Sequence, residues 1–593
     1  MINEKGYSMI FYEKFRVVDA LWLVFTRQRA FYGHQTRGAN LARRLLAFVR
    51  LNTHAEKIDF CHVAVARGIR LNAFKAAEVA LERLPGREWA DSLSTALGLD
   101  FWMVVRKFFF DELYTRFEFL EFALRYAEEH ANEKHLICVS AGLSSEYQER
   151  LLPHFRTRRS RKNPFAGIVS LMLLPLFVEL FYLLKGARGR MLIENRIVCE
   201  VDAASTLEMF STLFAQVPRD GIVFVSKRGN AAVFETDTIQ ILGLRKDGVQ
   251  YLRRVVWHYL WQTLRYIFEV RCLVDALSHL FYVFMQGRSE TISGSNNLYC
   301  TFEHLVTTNW IRNIFLNMNG NKTAFVLMNT YVTSRYFHSE AYLNYDVVCA
   351  AGPHIEEGYR LKHALTKVFL STGSYHNHRG VIDVANKPAR LARLYEFRKK
   401  RKLVTIISPG VCDPTYGHEL KLMGLARTLA QLPDTCVLLR LKPVSPPAKY
   451  ENFYQQQTEN CPNLLVTSGE FELFDFLELN CLFVTSISTA AYDLAQEGAQ
   501  VMFIDFLRDP DLITCWNKVP GFLLSEDEGL GKVIDWLEDR NNAREHWAAV
   551  MKQFLPYISF RHPNFQGYHS NLLAQLQPFA PQRLTSMTGL DVV

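Results

Sequence analysis

The feature that most restricts how this chain folds is the stretch of residues 438–505, in which short apolar runs alternate with polar turns and helical segments. It reads strand, loop, strand, short helix, strand, tight turn, helix, strand, which is the rhythm of a parallel sheet wound with helices. Leu482-Phe483-Val484-Thr485 is an apolar run fit for a buried parallel strand. It ends in Ser486-Ile487-Ser488-Thr489, and a helical stretch with Ala490, Ala491 and Ala495 follows at once. A turn from a strand's C-terminal end into a helix N-terminus offers free backbone N–H groups and hydroxyls, and that favours a phosphate. Ser488 and Thr489 therefore read as the diphosphate cradle of a nucleotide-activated donor; a plain N-cap is the alternative for Ser488. Asp493 follows one helical turn later on the same face, where a carboxylate can take ribose hydroxyls. Lys442 closes a strand expected at 436–441 and would meet the phosphate from the other side.

These residues carry a resemblance. Lys442-Pro443-Val444-Ser445, Ser488-Thr489, Asp493 and Gly498-Ala499-Gln500-Val501 together resemble the C-terminal half of GT-B glycosyltransferases that build bacterial surface carbohydrates, the capsule, polysialic-acid, Kdo and CDP-glycerol transferases among them. In that group a strand ends in Lys-Pro-His-Pro, and two strands later a Ser-Thr turn opens a helix carrying a Glu. Val444 stands here in place of the histidine, and Asp493 in place of the Glu. The resemblance implies an α/β fold of two Rossmann-like domains and a nucleotide sugar as co-substrate, with no further cofactor and no obligatory metal. It also implies a glycan or lipid-linked acceptor.

The composition, 49% hydrophobic and 22% charged, is that of a globular chain, and 593 residues exceed what one core serves. A net charge of +8 suits nucleic acid, an anionic membrane face or phosphorylated substrates alike. Nucleic acid fits least, because the basic residues flank apolar stretches instead of interleaving with exposed aromatics. Eleven cysteines without any Cys-x-x-Cys argue against a zinc site and a disulfide framework, and suit a reducing compartment. The first residues lack the basic, apolar and small-residue order of a secretory signal, so a cytoplasmic location is expected.

Residues 1–163 read as a mainly helical extension that contributes at most to the first sheet, through a strand at 135–139. Phe109, Leu113, Phe117, Leu120, Leu124 and Ala127 recur at helical spacing, as core residues do. Residues 164–189 hold an apolar segment. Within it, 165–184 carries one charge, Glu179, and Pro175 near the centre, and basic residues flank both ends. A spanning helix has its positive end on one side. Basic flanks at both ends suit a segment that dips into or lies on an anionic membrane surface at the inner face of the cytoplasmic membrane, with a buried core helix as the alternative. Residues 251–285 are aromatic and helical, and are expected to pack with an exposed basic edge.

A first Rossmann-like acceptor domain is expected over 190–386, then a basic linker over 387–402, a nucleotide-sugar domain over 403–575 and a tail over 576–593. A helix near residue 570 would cross back to brace the first domain. Gly410, in the turn after a strand at 403–407, allows close approach to a phosphate. Transfer of a sugar with inversion needs a carboxylate or imidazole to take the acceptor proton and positive groups to hold the leaving phosphate. The second task falls to Lys442 and the Ser488/Thr489 turn. Candidates for the first are Asp202, at the end of a strand, and the adjacent Glu303 and His304. Asp202 fits a helix cap equally well. His354, His376 and His378 are further lining candidates. Asp509-Pro510-Asp511 reads as a turn more readily than as a metal motif.

Transfer of glycerol phosphate from a CDP donor, or epimerisation of a UDP-sugar, are alternatives on the same fold. Val444 motivates a third, a scaffold that binds glycans or lipids without catalysis. A homo-oligomer is compatible with each.

Overall fold

The computed structural model describes residues 9–15, 23, 30–35, 55–57, 69–139, 145–159, 164–185, 192–227, 239–242, 246–270, 273–302, 307–327, 340–373, 387–399, 401–408, 417–441, 454–506 and 521–581. Within the last two ranges, 455, 457, 459, 469, 472, 480, 486–489, 491–493, 496, 522 and 559–564 are excepted. By internal packing the chain divides into two units, residues 1–84, 108–167 and 411–418 in one and residues 85–107, 168–410 and 419–593 in the other.

The first unit contains a sheet of its own. Strands β1 (Met9–Phe15), β2 (Ala30–Gln35) and β3 (Ala55–Lys57) precede helices α1 (Ile69–Glu82) and α2 (Phe101–Glu129, of this unit from Phe108), and β4 (His135–Val139) and β5 (Phe155–Arg159) follow. All five strands are parallel, in the order β3-β2-β1-β4-β5. Of the helical stripe on α2, Phe109, Leu120, Leu124 and Ala127 are buried, the last three with Met9, Phe11 and Ile137, while Leu113 and Phe117 are half-buried. The expected contribution to the first sheet needs correcting, however. The strand at 135–139 pairs with β1 and β5 and not with the sheet of the next domain.

The second unit holds two further parallel sheets. The first lobe runs α3 (Pro164–Met172, of this unit from Ile168), α4 (Leu174–Lys185), β6 (Ile197–Glu200), α5 (Ala204–Leu213), β7 (Ile222–Ser226) and β8 (Ile239–Ile241). It continues through α6 (Lys246–Arg265), α7 (Ile267–Val270), α8 (Val274–Ser289), β9 (Leu298–Thr301), α9 (Thr307–Met318), β10 (Lys322–Val326), β11 (Val347–Ala350) and β12 (Val368–Ser371). Its seven strands lie in the order β8-β7-β6-β9-β10-β11-β12. The second lobe contributes β13 (Lys402–Ile407), β14 (Thr435–Leu441), β15 (Leu464–Ser468), β16 (Leu482–Thr485), β17 (Gln500–Asp505) and β18 (Leu523–Ser525), ordered β15-β14-β13-β16-β17-β18. Strands β6, β9, β11 and β16 are buried at every residue, which is why each opens on three apolar residues; Glu200 closes β6, and Thr301 and Thr485 close β9 and β16.

Helices α10 (Arg540–Ile558) and α11 (Phe565–Leu576) close the chain's described part. The brace expected near residue 570 is present. Tyr568, Leu572 and Leu576 of α11 are buried in the first lobe's core with Phe210, Leu213 and Leu298. Gly373, just past β12, has φ +88°, a left-handed turn that suits a residue without a side chain.

The apolar segment is not one continuous helix. It breaks at Leu173, and Pro175 sits in the first turn of α4, where its missing N–H costs nothing. Among the described residues no helix is long and apolar enough to cross a membrane. One stripe of α4, Leu174, Val178 and Phe181, is buried, as in the core-helix alternative. The opposite stripe is not. The stretch 251–285 likewise divides into α6, α7 and α8, and although Tyr259, Phe281 and Phe284 pack inside, Trp257, Trp261 and Phe268 are exposed.

Candidate functional site

In a doubly wound sheet, ligands bind outside the C-terminal ends of the strands, at the point where the strand order reverses. Counted within each lobe of the second unit, the order is 3-2-1-4-5-6, with a seventh strand added in the first lobe. The reversal falls between β6 and β9 in the first lobe and between β13 and β16 in the second.

At the second lobe's reversal β16 is tied to β13: Thr485 Oγ1 donates to the carbonyl of Ile407 at 2.9 Å. On its other side β13 is tied to β14, the Ser408 N–H donating to the carbonyl of Arg440 at 2.9 Å. Ser408 and Thr485 are both buried. Gly410 comes shortly after β13, Lys442 directly after β14, and Ser488 and Thr489 shortly after β16. All four, with Asp493, lie outside the described residues.

At the first lobe's reversal, Asp202 follows β6 and is exposed. Its carboxylate accepts from Thr206 Oγ1 at 2.7 Å, and its N–H donates to the same hydroxyl at 3.1 Å, so it is engaged in the turn that opens α5. That is the helix-start role sequence reasoning kept as the alternative. Glu303 and His304, which follow β9, lie outside the described residues, as do His376, His378 and residues 509–511. His354 is buried in the first turn of the helix Pro353–Arg360. Among the described residues no group of three or more His, Cys, Asp and Glu side chains is arranged to hold a metal ion.

A charged cluster that sequence reasoning missed adjoins the same reversal. Glu200, the last residue of β6, accepts from Arg312 Nη1 of α9 at 2.5 Å, and Lys227, just past β7, places Nζ 3.4 Å from its other oxygen. Lys227 also stands 3.7 Å from Glu290 and donates to Asn309 Oδ1 at 3.2 Å. Arg312 lies over the Tyr299 ring, 4.9 Å from its centroid. Burial pushes the Glu200 carboxyl up, but Arg312 and then Lys227 outweigh it and hold it below the ordinary carboxylate range. Burial wins at Glu290, whose carboxyl is raised. The cluster therefore sets two carboxyls of opposite tendency beside the strand ends of the reversal, one lowered by its cations and one raised by burial. A signal was present in the sequence: Arg312 interrupts the apolar face made by Trp310, Ile311, Phe315 and Leu316 of α9.

No family model matches this chain, and no curated protein matches it. Solved structures do. The trehalose-6-phosphate phosphatase N-terminal domain of Candida albicans is 11% identical, with a TM-score of 0.40 over 66% of this chain and 99% of that one. A variant of the wall teichoic acid polymerase TagF is 12% identical, with a TM-score of 0.37 over 70% of this chain and 98% of that one. The trehalose 6-phosphate synthase of Burkholderia multivorans is 13% identical, with a TM-score of 0.39 over 65% of this chain and 99% of that one.

Proposed function

We propose that this protein is a GT-B glycosyltransferase that moves a sugar from a nucleotide-activated donor to a surface polysaccharide or lipid-linked glycan, at the inner face of the cytoplasmic membrane. One observation carries the reading. Two doubly wound parallel sheets share one compact unit, and the segments that follow the strands flanking each reversal are those that hold Asp202, Glu303 and His304 in one lobe and Gly410, Ser488 and Thr489 in the other.

In this reading the second lobe binds the donor. The helix N-terminus after Thr489, its hydroxyl and Lys442 meet the diphosphate, Gly410 lets the backbone approach it, and Asp493 takes the ribose hydroxyls. The acceptor hydroxyl attacks the anomeric carbon while the bond from that carbon to the phosphate oxygen breaks. The electron pair leaves with the nucleotide, and a base of the first lobe receives the acceptor's proton. Asp202, Glu303 and His304 are proposed for that base. The charge on the departing phosphate is met by Lys442 and the helix without a resident metal.

Isothermal titration of the full chain with uridine and cytidine nucleotides tests the proposal. Binding at or below the order of millimolar, the upper end of ordinary substrate affinities, is expected. Thr489→Val is expected to weaken it about tenfold, as the loss of one charge-assisted hydrogen bond does. Absence of binding by every nucleotide would instead favour the glycan- or lipid-binding scaffold that Val444 suggests. The nucleotide released from a donor panel separates sugar transfer from glycerol phosphate transfer.

A further inference from the structure

Two neighbouring helices of the first lobe turn apolar stripes to solvent. On α4 the exposed stripe is Leu176, Phe177, Leu180 and Leu183, and it continues through Val169 and Met172 of α3. On α6 and α7 the outward positions are Trp257, Trp261, Leu264 and Phe268, a helical spacing, with Trp257 64%, Trp261 65% and Phe268 85% exposed. Rings of that size left this open on a folded surface are the exception that needs a partner, whereas one exposed leucine is not.

The two stripes belong to one surface. Helix α4 packs along α6, and at their seam Arg253 donates twice to the Glu179 carboxylate, Nε and Nη2 each at 2.7 Å. Both partners of that pair are themselves exposed, so the seam lies at the surface. Trp257 stands one turn beyond Arg253 and Leu183 one turn beyond Glu179. Arg253, Arg254, Trp257, His258 and Trp261 line an open concavity beside the seam.

The charge around the stripe identifies the occupant. Two acids lie along it, Glu269 beside Phe268 and Glu179, and Arg253 occupies the Glu179 carboxylate and holds it below the ordinary range. Arg254 and Arg265 are exposed on the same helix, with no carboxylate partner among the described residues. Indole rings, phenyl rings and leucines ringed by arginines match the boundary between headgroups and acyl chains of an anionic bilayer. There the rings reach below the phosphates, and the guanidinium groups meet them.

We propose that α4 and α6–α7 form one composite face that seats this protein on an anionic phospholipid bilayer, with Trp257, Trp261 and Phe268 as its anchors. The proposal deepens the membrane-face part of the function above and is independent of its transfer chemistry.

The test is flotation of the full chain with phosphatidylcholine vesicles, with and without phosphatidylglycerol, comparing the parent protein with Trp257→Ala/Trp261→Ala. The parent is expected to float with the anionic vesicles and much less with the neutral ones. The double variant should lose about tenfold or more of that binding, because two indoles no longer leave water. Vesicles of brominated lipid should quench the parent's tryptophan emission and not the variant's. Nucleotide titration of the variant should be unchanged, which separates this face from the donor site. Vesicle binding that the double variant retains would leave membrane association standing and overturn this face as its cause. A parent that ignores both kinds of vesicle would overturn the face and the membrane location together. Concentration-dependent self-association abolished by the same substitutions would overturn the lipid in favour of a second copy.

Discussion

Arg312 is fully buried, and it is tolerable there because Glu200 is buried beside it and Tyr299 lies under its guanidinium. An ion pair in that position is weak evidence of net stabilisation, but removing one partner leaves an uncompensated charge. Arg312→Met is therefore expected to destabilise the protein by about 3–5 kcal/mol in urea unfolding, and adding Glu200→Gln to it should restore part of the loss. Equal instability of the single and double variants would mean that Arg312 acts by packing alone. In the chain only Arg312 shows, as a charge set into the apolar face of α9, and its partners do not. Glu200, Lys227, Glu290 and Arg312 are far apart in sequence, and nothing local marks them as neighbours. Asp202 was legible only as a choice between base and helix start, because the hydrogen bond from Thr206 that engages it depends on where the first turn of α5 begins.

At the scale of elements, α11 shows how a short helix can matter more than its length suggests. Tyr568, Leu572 and Leu576 are its buried face, and all three sit in the core of a sheet formed by residues far earlier in the chain. Leu572→Ala should cost about 2–5 kcal/mol, the range for a leucine truncated in a packed core. Urea unfolding followed by circular dichroism measures it, and a change within error would mean that α11 rests on the lobe without sealing it. The strands of the two lobes were largely readable, because parallel strands covered on both faces are apolar at nearly every residue. Helices α4 and α6 were harder. Their composition suits a buried helix, a membrane surface helix or a packed aromatic core, and only the direction each stripe faces decides among these. Pro175, near the centre of the apolar segment, sits in the first turn of a new helix, which its position in the sequence alone does not show.

For the molecule as a whole, the chain divides into two units carrying three parallel sheets. Eight of the nine tryptophans fall in the second unit and Trp22 alone in the first, whereas both units contribute helix and strand. Unfolding followed by tryptophan emission and by far-ultraviolet dichroism should therefore give transitions that do not coincide. Coincident curves would mean that the two units unfold as one. The first unit's sheet escaped sequence reasoning for a physical reason. Strand β1 carries Glu13 and Lys14 within it, and β3 is Ala55-Glu56-Lys57, so neither presents the apolar run that announces a covered strand. Helix α11 also has a consequence for how the molecule is made. A ribosome releases β12 long before α11, and at about 5–20 residues per second the stretch from Ser371 to Leu576 takes on the order of 10–40 s to synthesise. Through that interval the nascent first lobe carries a greasy groove over Phe210, Leu213 and Leu298 that only the far end of the polypeptide can cap, which makes it a natural client for a chaperone and leaves prematurely terminated chains with that groove unsealed.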